Sequence, residues 1–228
     1  LNIKGITVNG INFEIRENTT DEKVVDEVIR RNTYLKNGVD VERNEIWLDC
    51  GANIGTFTCL ACSLGAFVIA YEPEKENFER LKRNIFINGF SVKEIRSAVV
   101  AGKEKSMYLF ICKGEYNKYR HTLNVVRGRK FVSISCVNFD DVLNENISGI
   151  KMDIEGEELK ILDQQHNWYN VKKMVMEYHF DFDRYVENFY ERMNRLKEAG
   201  FIVNYSKIKD GLKRYDFYPA SKIVYCTR

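Results

Sequence analysis

The sequence predicts an α/β fold, a three-layer sandwich built on a mostly parallel sheet, and three observations carry that prediction. From Ile46 onward strand-like and helix-like segments alternate along the chain. The apolar run Ile46-Trp-Leu-Asp-Cys50 leads into a turn, Gly51-Ala-Asn-Ile-Gly55, and then into a helix. A second strand ends in a carboxylate at Glu72, 23 residues after Asp49. Alternation of this kind covers both faces of a parallel sheet with helices. Ligands of such sheets lie beyond the carboxyl ends of the strands, near the switch point.

The elements follow in order. Ile6 to Ile15 alternates around Asn9-Gly10, which signals a hairpin. Thr20 or Asp21 caps a helix from Glu22 to about Leu35, with Val24, Val25, Val28 and Ile29 on one side and Asn37-Gly38 at its end. Residues 1–45 are expected to form an N-terminal cap, and 46–228 the core. The core opens with the strand Ile46–Cys50, a helix from Thr56 to Leu64, a strand from Phe67 to Tyr71 and a helix from Glu76 to Asn88. That second helix buries Phe78, Leu81 and Ile85 and stops at Asn88-Gly89. Lys93 to Val99 is a third strand. Lys105–Cys112 and Phe131–Cys136 are strand-like and flank a polar loop, Lys113–Lys130, that holds His121. A short helix begins at Asp140. Ile150–Ile154 and Lys173–Tyr178 are the fourth and fifth core strands, with Leu159–Leu162 in a helix between them. Phe182–Ala199 is a long helix, and Phe201–Lys207 with Lys222–Cys226 makes a closing antiparallel pair.

With 228 residues, 44% of them hydrophobic, the chain can bury one sizeable core and a small cap. Lys and Arg total 35 against 33 for Asp and Glu, and a net charge of +2 offers no broad basic field, so no nucleic acid is expected. The runs Lys118-Tyr-Arg120 and Arg127-Gly-Arg-Lys130 read as solvated loops. Cys59 and Cys62 form C-x-x-C on an apolar helix with no second pair at zinc spacing, so they are read as a packed face. The six cysteines suit a reducing compartment, which makes the cytoplasm (the host's, for a viral source) the expected location. No stretch reaches the ~20 apolar residues of a membrane span. The chain begins at Leu1 rather than Met, so a processed product or one domain of a longer polypeptide is expected.

The glycine turn narrows the ligand. Gly51 permits a tight turn and clears the ligand's path. Gly55 allows close helix–sheet packing. The backbone amides of the turn, Ala52 and Asn53 among them, and of the helix start can receive a carboxylate, and Asp49 can accept an ammonium group or hold the turn amides. Glu72 can accept hydrogen bonds from both hydroxyls of a ribose, with Pro73 ending the strand so that the carboxylate stays at the crevice. The spacing is not G-x-G-x-x-G, which argues against a pyrophosphate, and no Gly-Lys-Ser/Thr follows to mark a P-loop. S-adenosyl-L-methionine has no phosphate and needs a glycine turn, a polar grip on its amino-acid end and a ribose carboxylate.

Leu48-Asp-Cys-Gly-Ala-Asn-Ile-Gly55 resembles the first motif of the FkbM family of S-adenosylmethionine-dependent methyltransferases. Glu72-Pro-Glu-Lys-Glu-Asn77, with Leu81 and Asn84, resembles the second. Ile150-Lys-Met-Asp-Ile-Glu-Gly-Glu-Glu158 is similar to a late motif, and Glu177-Tyr-His179 also fits. The likeness runs in order from about residue 13 to 228. It implies the class I methyltransferase (Rossmann-like) fold, seven strands with an antiparallel strand near the C-terminus, and methylation of a hydroxyl on a sugar, a glycan or a related small metabolite. It implies cofactor contacts at Asp49, Gly51, Asn53 and Glu72, with Ser97 and Ala98 near the adenine and Asn77 bracing the second motif.

The reacting groups are sought at the ends of the fourth and fifth strands. Asp153 sits on the crevice side, as Asp49 does. Glu155, Glu157 and Glu158 follow, and the last reads as a surface carboxylate at a helix start. Glu177 and His179, two apart, share one side of their strand. His166 is expected to be exposed, and His121 to lie in a loop that touches substrate. An activated methyl needs an in-line acceptor oxygen and a route for its proton. His179 can act as general base, oriented by Asp153 or Glu177. A second route holds Mg or Mn on Asp153 with Glu155, Glu177 or His179 and lowers the hydroxyl pKa. Other classes remain: a non-catalytic binding module on the same fold, or a nucleic-acid methyltransferase. Base amino-methylases carry Asp/Asn-Pro-Pro-Tyr/Phe where this chain has Asp153-Ile-Glu-Gly156.

Overall fold

The computed structural model describes residues 2–111, 121–124, 130–143, 146–180, 186–205 and 221–228, with the side chains of 186 and 187 left aside. Most of the loop expected over 113–130 and the first residues of the helix expected from Phe182 therefore lie outside the described residues. In chain order the elements begin with β1 (Ile3–Val8), β2 (Ile11–Arg16) and α1 (Asp21–Val25), which runs on as a π-helical turn, Asp26–Arg30. Then come β3 (Ile46–Cys50), α2 (Thr56–Ser63), β4 (Phe67–Tyr71), α3 (Lys75–Ile87), β5 (Lys93–Ile95), β6 (Ala98–Val100), β7 (Ser106–Phe110), β8 (Phe131–Asn138) and α4 (Phe139–Leu143). The last are β9 (Gly149–Met152), α5 (Glu157–Leu162), β10 (Lys173–His179), α6 (Val186–Glu198), β11 (Ile202–Tyr205) and β12 (Ser221–Thr227).

The main sheet has the order β11-β12-β10-β9-β3-β4-β5. Its β5, β4, β3, β9 and β10 are parallel, and β12 is inserted antiparallel between β10 and β11. Strand order therefore reverses between β3 and β9, and their carboxyl ends meet at Cys50 and Met152. Period-two alternation divides the strands between two cores. Leu48, Cys50, Ile150, Met152, Met174 and Met176 pack with Phe139, Leu159, Phe189 and Met193 from α4, α5 and α6. Trp47, Val68, Ala70 and Val175 pack with Phe57 and Leu81 from α2 and α3 and with Phe13, Ile15 and Val28 from the opening segment. The result is the expected three layers.

The expected hairpin is present, with Asn9 and Gly10 both at positive φ, as a two-residue turn of this type requires. The helix expected to reach Leu35 instead ends at Arg30. The Thr33 amide and hydroxyl both fold back to the Glu27 carbonyl and Asn32 turns left-handed, so the chain leaves the helix five residues early. Neither expected cap acts through its side chain. Thr20 makes no side-chain cap bond, and the Asp21 carboxylate faces Arg16 in a buried pair that also reaches Asn77 on α3. The single third strand expected over 93–99 is split. β5 joins the main sheet, Ser97 turns the chain with its amide on the Ile95 carbonyl, and β6 enters a small second sheet with β8 and β7.

Candidate functional site

The turn after β3 is fixed from several directions. The amides of Gly51 and Ala52 both donate to the Tyr71 carbonyl at 2.9 Å, and the Asn53 amide donates to Glu72 Oε2 at 2.8 Å. These three amides are thus bonded within the protein. Gly51, at φ 78°, makes the expected tight turn, and a Cβ there would also lie 1.9 Å from the Asp153 carbonyl oxygen. Gly55 does serve helix packing, since its Cβ would meet Leu81 Cδ1 at 2.6 Å.

Asp49 is fully buried, accepts from Thr58 Oγ1 at 2.7 Å, and lies 3.2 Å from Lys151 Nζ. Its carboxylate is thus already engaged on the inner side of the turn. Ala52 and Gly55 are likewise buried behind the turn and do not line the cleft.

In front of the turn lies an open cleft. Gly51, Asn53, Glu72, Pro73, Ser97, Ala98 and Asp153, separated by up to a hundred residues in sequence, all line it. Its far wall is Leu109 from β7 with His121, expected in a loop that touches substrate, and Leu123, neither Leu foreseen; the segment is pinned where Thr122 donates to the Glu155 carbonyl at 2.7 Å. Among the described residues the lining holds three carboxylates, Glu72, Asp153 and Glu155, and no Lys or Arg. Such a wall repels a pyrophosphate and favours a cationic ligand. Glu72 is 5% exposed, and burial pushes its carboxyl up to about 7 against the pull of the Glu74 and Asn53 amides. A carboxylate so poorly solvated gains from further donors, and the two hydroxyls of a ribose supply them. The residues present therefore fit S-adenosyl-L-methionine, with its ribose and positive charge and without phosphate.

At the cleft's end β9 and β10 bring the second group together. His179 is 1% exposed; its Nδ1 lies 2.7 Å from Glu158 Oε1, and its Nε2 faces Glu155 Oε2 at 3.4 Å and Asp153 and Glu177 at 3.9 Å each. Burial pulls the imidazole down, but Glu158 first, then Glu155 and Asp153, carry it up to about 10. The surrounding carboxylates thus favour the charged form of the imidazole. Asp153 and Glu177 stay 26% and 27% exposed. Burial and the neighbouring Asp153 push Glu177 up to about 7, partly offset by His179 and by the Ser221 hydroxyl that it accepts. Ligand atoms of Asp153, Glu177 and His179 lie within 4.8 Å of one another; Glu155, also considered as a ligand, is not in that group.

Sequence reasoning missed three contributors. Glu158, taken for a surface carboxylate, is fully buried and accepts from Gly156 N and from both nitrogen donors of His179 that face it. Lys151 was legible as a lone charge inside an apolar strand. Tyr34, whose hydroxyl donates to Asp153 Oδ2 at 3.1 Å, comes from the opening segment and carries no sequence signal. His166 is not exposed as expected. Its ring is packed against Phe139 and Trp168 and bonded to Asp140 and the Ile161 carbonyl, away from the cleft.

A family model described as the methyltransferase FkbM domain matches residues 49–203. The hexuronic acid methyltransferase AglP of Haloferax volcanii is 26% identical over 151 residues, covering 63% of this chain and 60% of that protein, so the match spans less than two thirds of the relative. Among solved structures, the Pyrococcus abyssi tRNA (uracil-54, C5)-methyltransferase in complex with S-adenosyl-L-homocysteine superposes with a TM-score of 0.51 at 14% identity, over 99% of this chain and 44% of that one. A Pyrococcus horikoshii protein described as a candidate transferase gives 0.52 at 17% identity, over 99% and 71%. At these identities the structural likeness speaks for the fold alone, that of the class I methyltransferases.

Proposed function

We propose, from the premise that this chain belongs to the FkbM methyltransferase family, that it moves a methyl group from S-adenosyl-L-methionine to a hydroxyl of a sugar, a glycan or a related small metabolite. The observation that carries the donor is the cleft: Glu72 at one wall, the Gly51–Asn53 turn beneath, Ser97 and Ala98 beside them, and no cationic side chain among its described lining residues. The sugar acceptor is supported by the name of the Haloferax relative. Bound there, the donor supplies a methyl group on a positively charged sulfur.

The protein's own part is to orient the acceptor and take its proton. Asp153 lines the cleft and is held by Tyr34. Glu177, close to neutrality and still partly exposed, is the better proton acceptor, because a base works best with a pKa near the working pH. His179 acts as the cation that gathers Asp153, Glu155 and Glu177. A second reading is favoured by the spacing of Asp153, Glu177 and His179, which would hold Mg or Mn. Such an ion would lower the pKa of the acceptor hydroxyl. Turnover that survives exhaustive chelation and gains nothing from added Mg or Mn removes this second reading.

The test of the function is product mass after incubation with isotope-labelled donor and a panel of mono- and oligosaccharides. One added methyl on a defined hydroxyl is expected. Donor binding without transfer to any hydroxyl acceptor would favour a non-catalytic module.

A further inference from the structure

Lys151 stands in the middle of a core strand. Ile150 and Met152 beside it are fully buried, and it lies opposite Asp49 in the register of β9 against β3. Desolvating an ammonium is expensive, so its contacts have to compensate. Among the described residues these are Asp49 Oδ1 at 3.2 Å, the Gly51 carbonyl oxygen at 2.7 Å, and the face of Tyr34 with its centroid 5.6 Å away. Burial draws the amine down, but Asp49 and Asp153 together raise it above its ordinary value, so it remains charged.

If neutralising Asp49 were its whole purpose, the carboxylate would be its nearest partner. The shorter contact is instead to Gly51, the first residue of the turn that floors the cleft. That residue's amide is already spent on Tyr71, and its α-carbon is pressed against the Asp153 carbonyl. Its own carbonyl is the remaining handle, and Lys151 takes it from behind while Glu72 holds the Asn53 amide from the cleft side.

We propose that Lys151 is a positioning residue for donor binding, its buried ammonium anchoring the Gly51 carbonyl and so fixing the floor of the cleft. The proposal rests on the donor-site reading above. Lys151→Met alone strands a buried carboxylate and risks unfolding, so the informative pair is D49N against D49N/K151M. Both lack the Asp49 charge, and only the first keeps an ammonium on Gly51. Two measurements separate the two readings: hydrogen exchange of the amides of residues 51–55 without ligand, and calorimetric titration with S-adenosyl-L-homocysteine. Relative to D49N, the double variant should exchange faster in that segment. It should bind about ten- to a hundredfold more weakly, the span set by one hydrogen bond from a charged donor. Equal exchange and equal affinity in the two variants would overturn the proposal. Faster exchange, with no binding even by the unaltered protein, would uphold the anchor and count against the donor reading.

Discussion

Glu72→Gln separates what Glu72 does for the ligand from what it does for the fold. In the free protein the carboxylate is buried and accepts the Asn53 and Glu74 amides at 2.8 Å each. Burial nevertheless dominates, and a rise from 4.5 to about 7 means that ionised Glu72 costs the folded state ~3 kcal/mol above pH 7. The sign is that of a carboxyl raised on folding: between about pH 4.5 and 7 the folded protein holds the extra proton, and this group's contribution to stability falls as pH rises. Glutamine removes the charge but keeps only one oxygen, so one of the two amides loses its acceptor, at about 1–3 kcal/mol. The two effects nearly cancel, and the melting temperature at pH 8 should change little. Donor affinity should not be spared. Two hydroxyls bonded to a carboxylate lose about 1.5 kcal/mol or more apiece, which is roughly a hundredfold or greater. Binding to the ionised form also ties affinity to pH: between pH 8 and pH 6 the unaltered protein should weaken about tenfold, and the glutamine variant should not follow. Calorimetry with S-adenosyl-L-homocysteine at the two pH values reads both. A variant within twofold of the parent at pH 8, or a parent with no pH dependence, would refute the ribose assignment.

Tyr34→Phe removes one hydroxyl from Asp153; steady-state kinetics should show turnover down about tenfold with donor affinity unchanged, as expected for one hydrogen bond to a charged group. The His179 imidazole should remain doubly protonated from pH 6 to 8 in nitrogen-15 spectra, and its stabilising charge should be lost only as pH climbs through about 10. Neutral His179 at pH 7.5 in the metal-free protein would instead restore it as a base. Gly51→Ala should unfold far more readily than Gly89→Ala in thermal melts, because both have positive φ but only Gly51 meets backbone, at 1.9 Å.

The parts of this chain that were legible are those written in local pattern. The strand–turn–helix at Ile46–Ser63 shows in the alternation of apolar residues and in the glycines, and the parallel sheet follows from repetition of that unit. The cleft residues at strand ends were found because topology alone puts strand ends together. What escaped depends on which long-range partner a charge meets. Asp49 and Asp153 occupy similar positions after similar strands, yet one is enclosed by Thr58 and Lys151 and the other opens on the cleft. Glu158 looks like any acid at a helix start, and only the approach of β10 makes it the buried partner of His179. The short first helix was misjudged because Thr33 folds back onto the Glu27 carbonyl, a local side-chain bond that ends the helix despite a continuous apolar stripe.

The distribution of charge explains why these features belong to one machine. Among the described residues, Lys151 lies under the turn and the His179 ring behind Asp153, Glu155 and Glu177. Each offsets the charge of the carboxylates that it faces. The cleft surface is left with the acids Glu72, Asp153 and Glu155 and with no Lys or Arg among its described residues. A donor that arrives positively charged and departs without that charge on its sulfur should then bind such a wall more tightly before transfer than after it. A single neutralising substitution, such as Glu155→Gln, should tighten product relative to donor in paired calorimetric titrations. Equal weakening of both would show that the wall does not discriminate by charge.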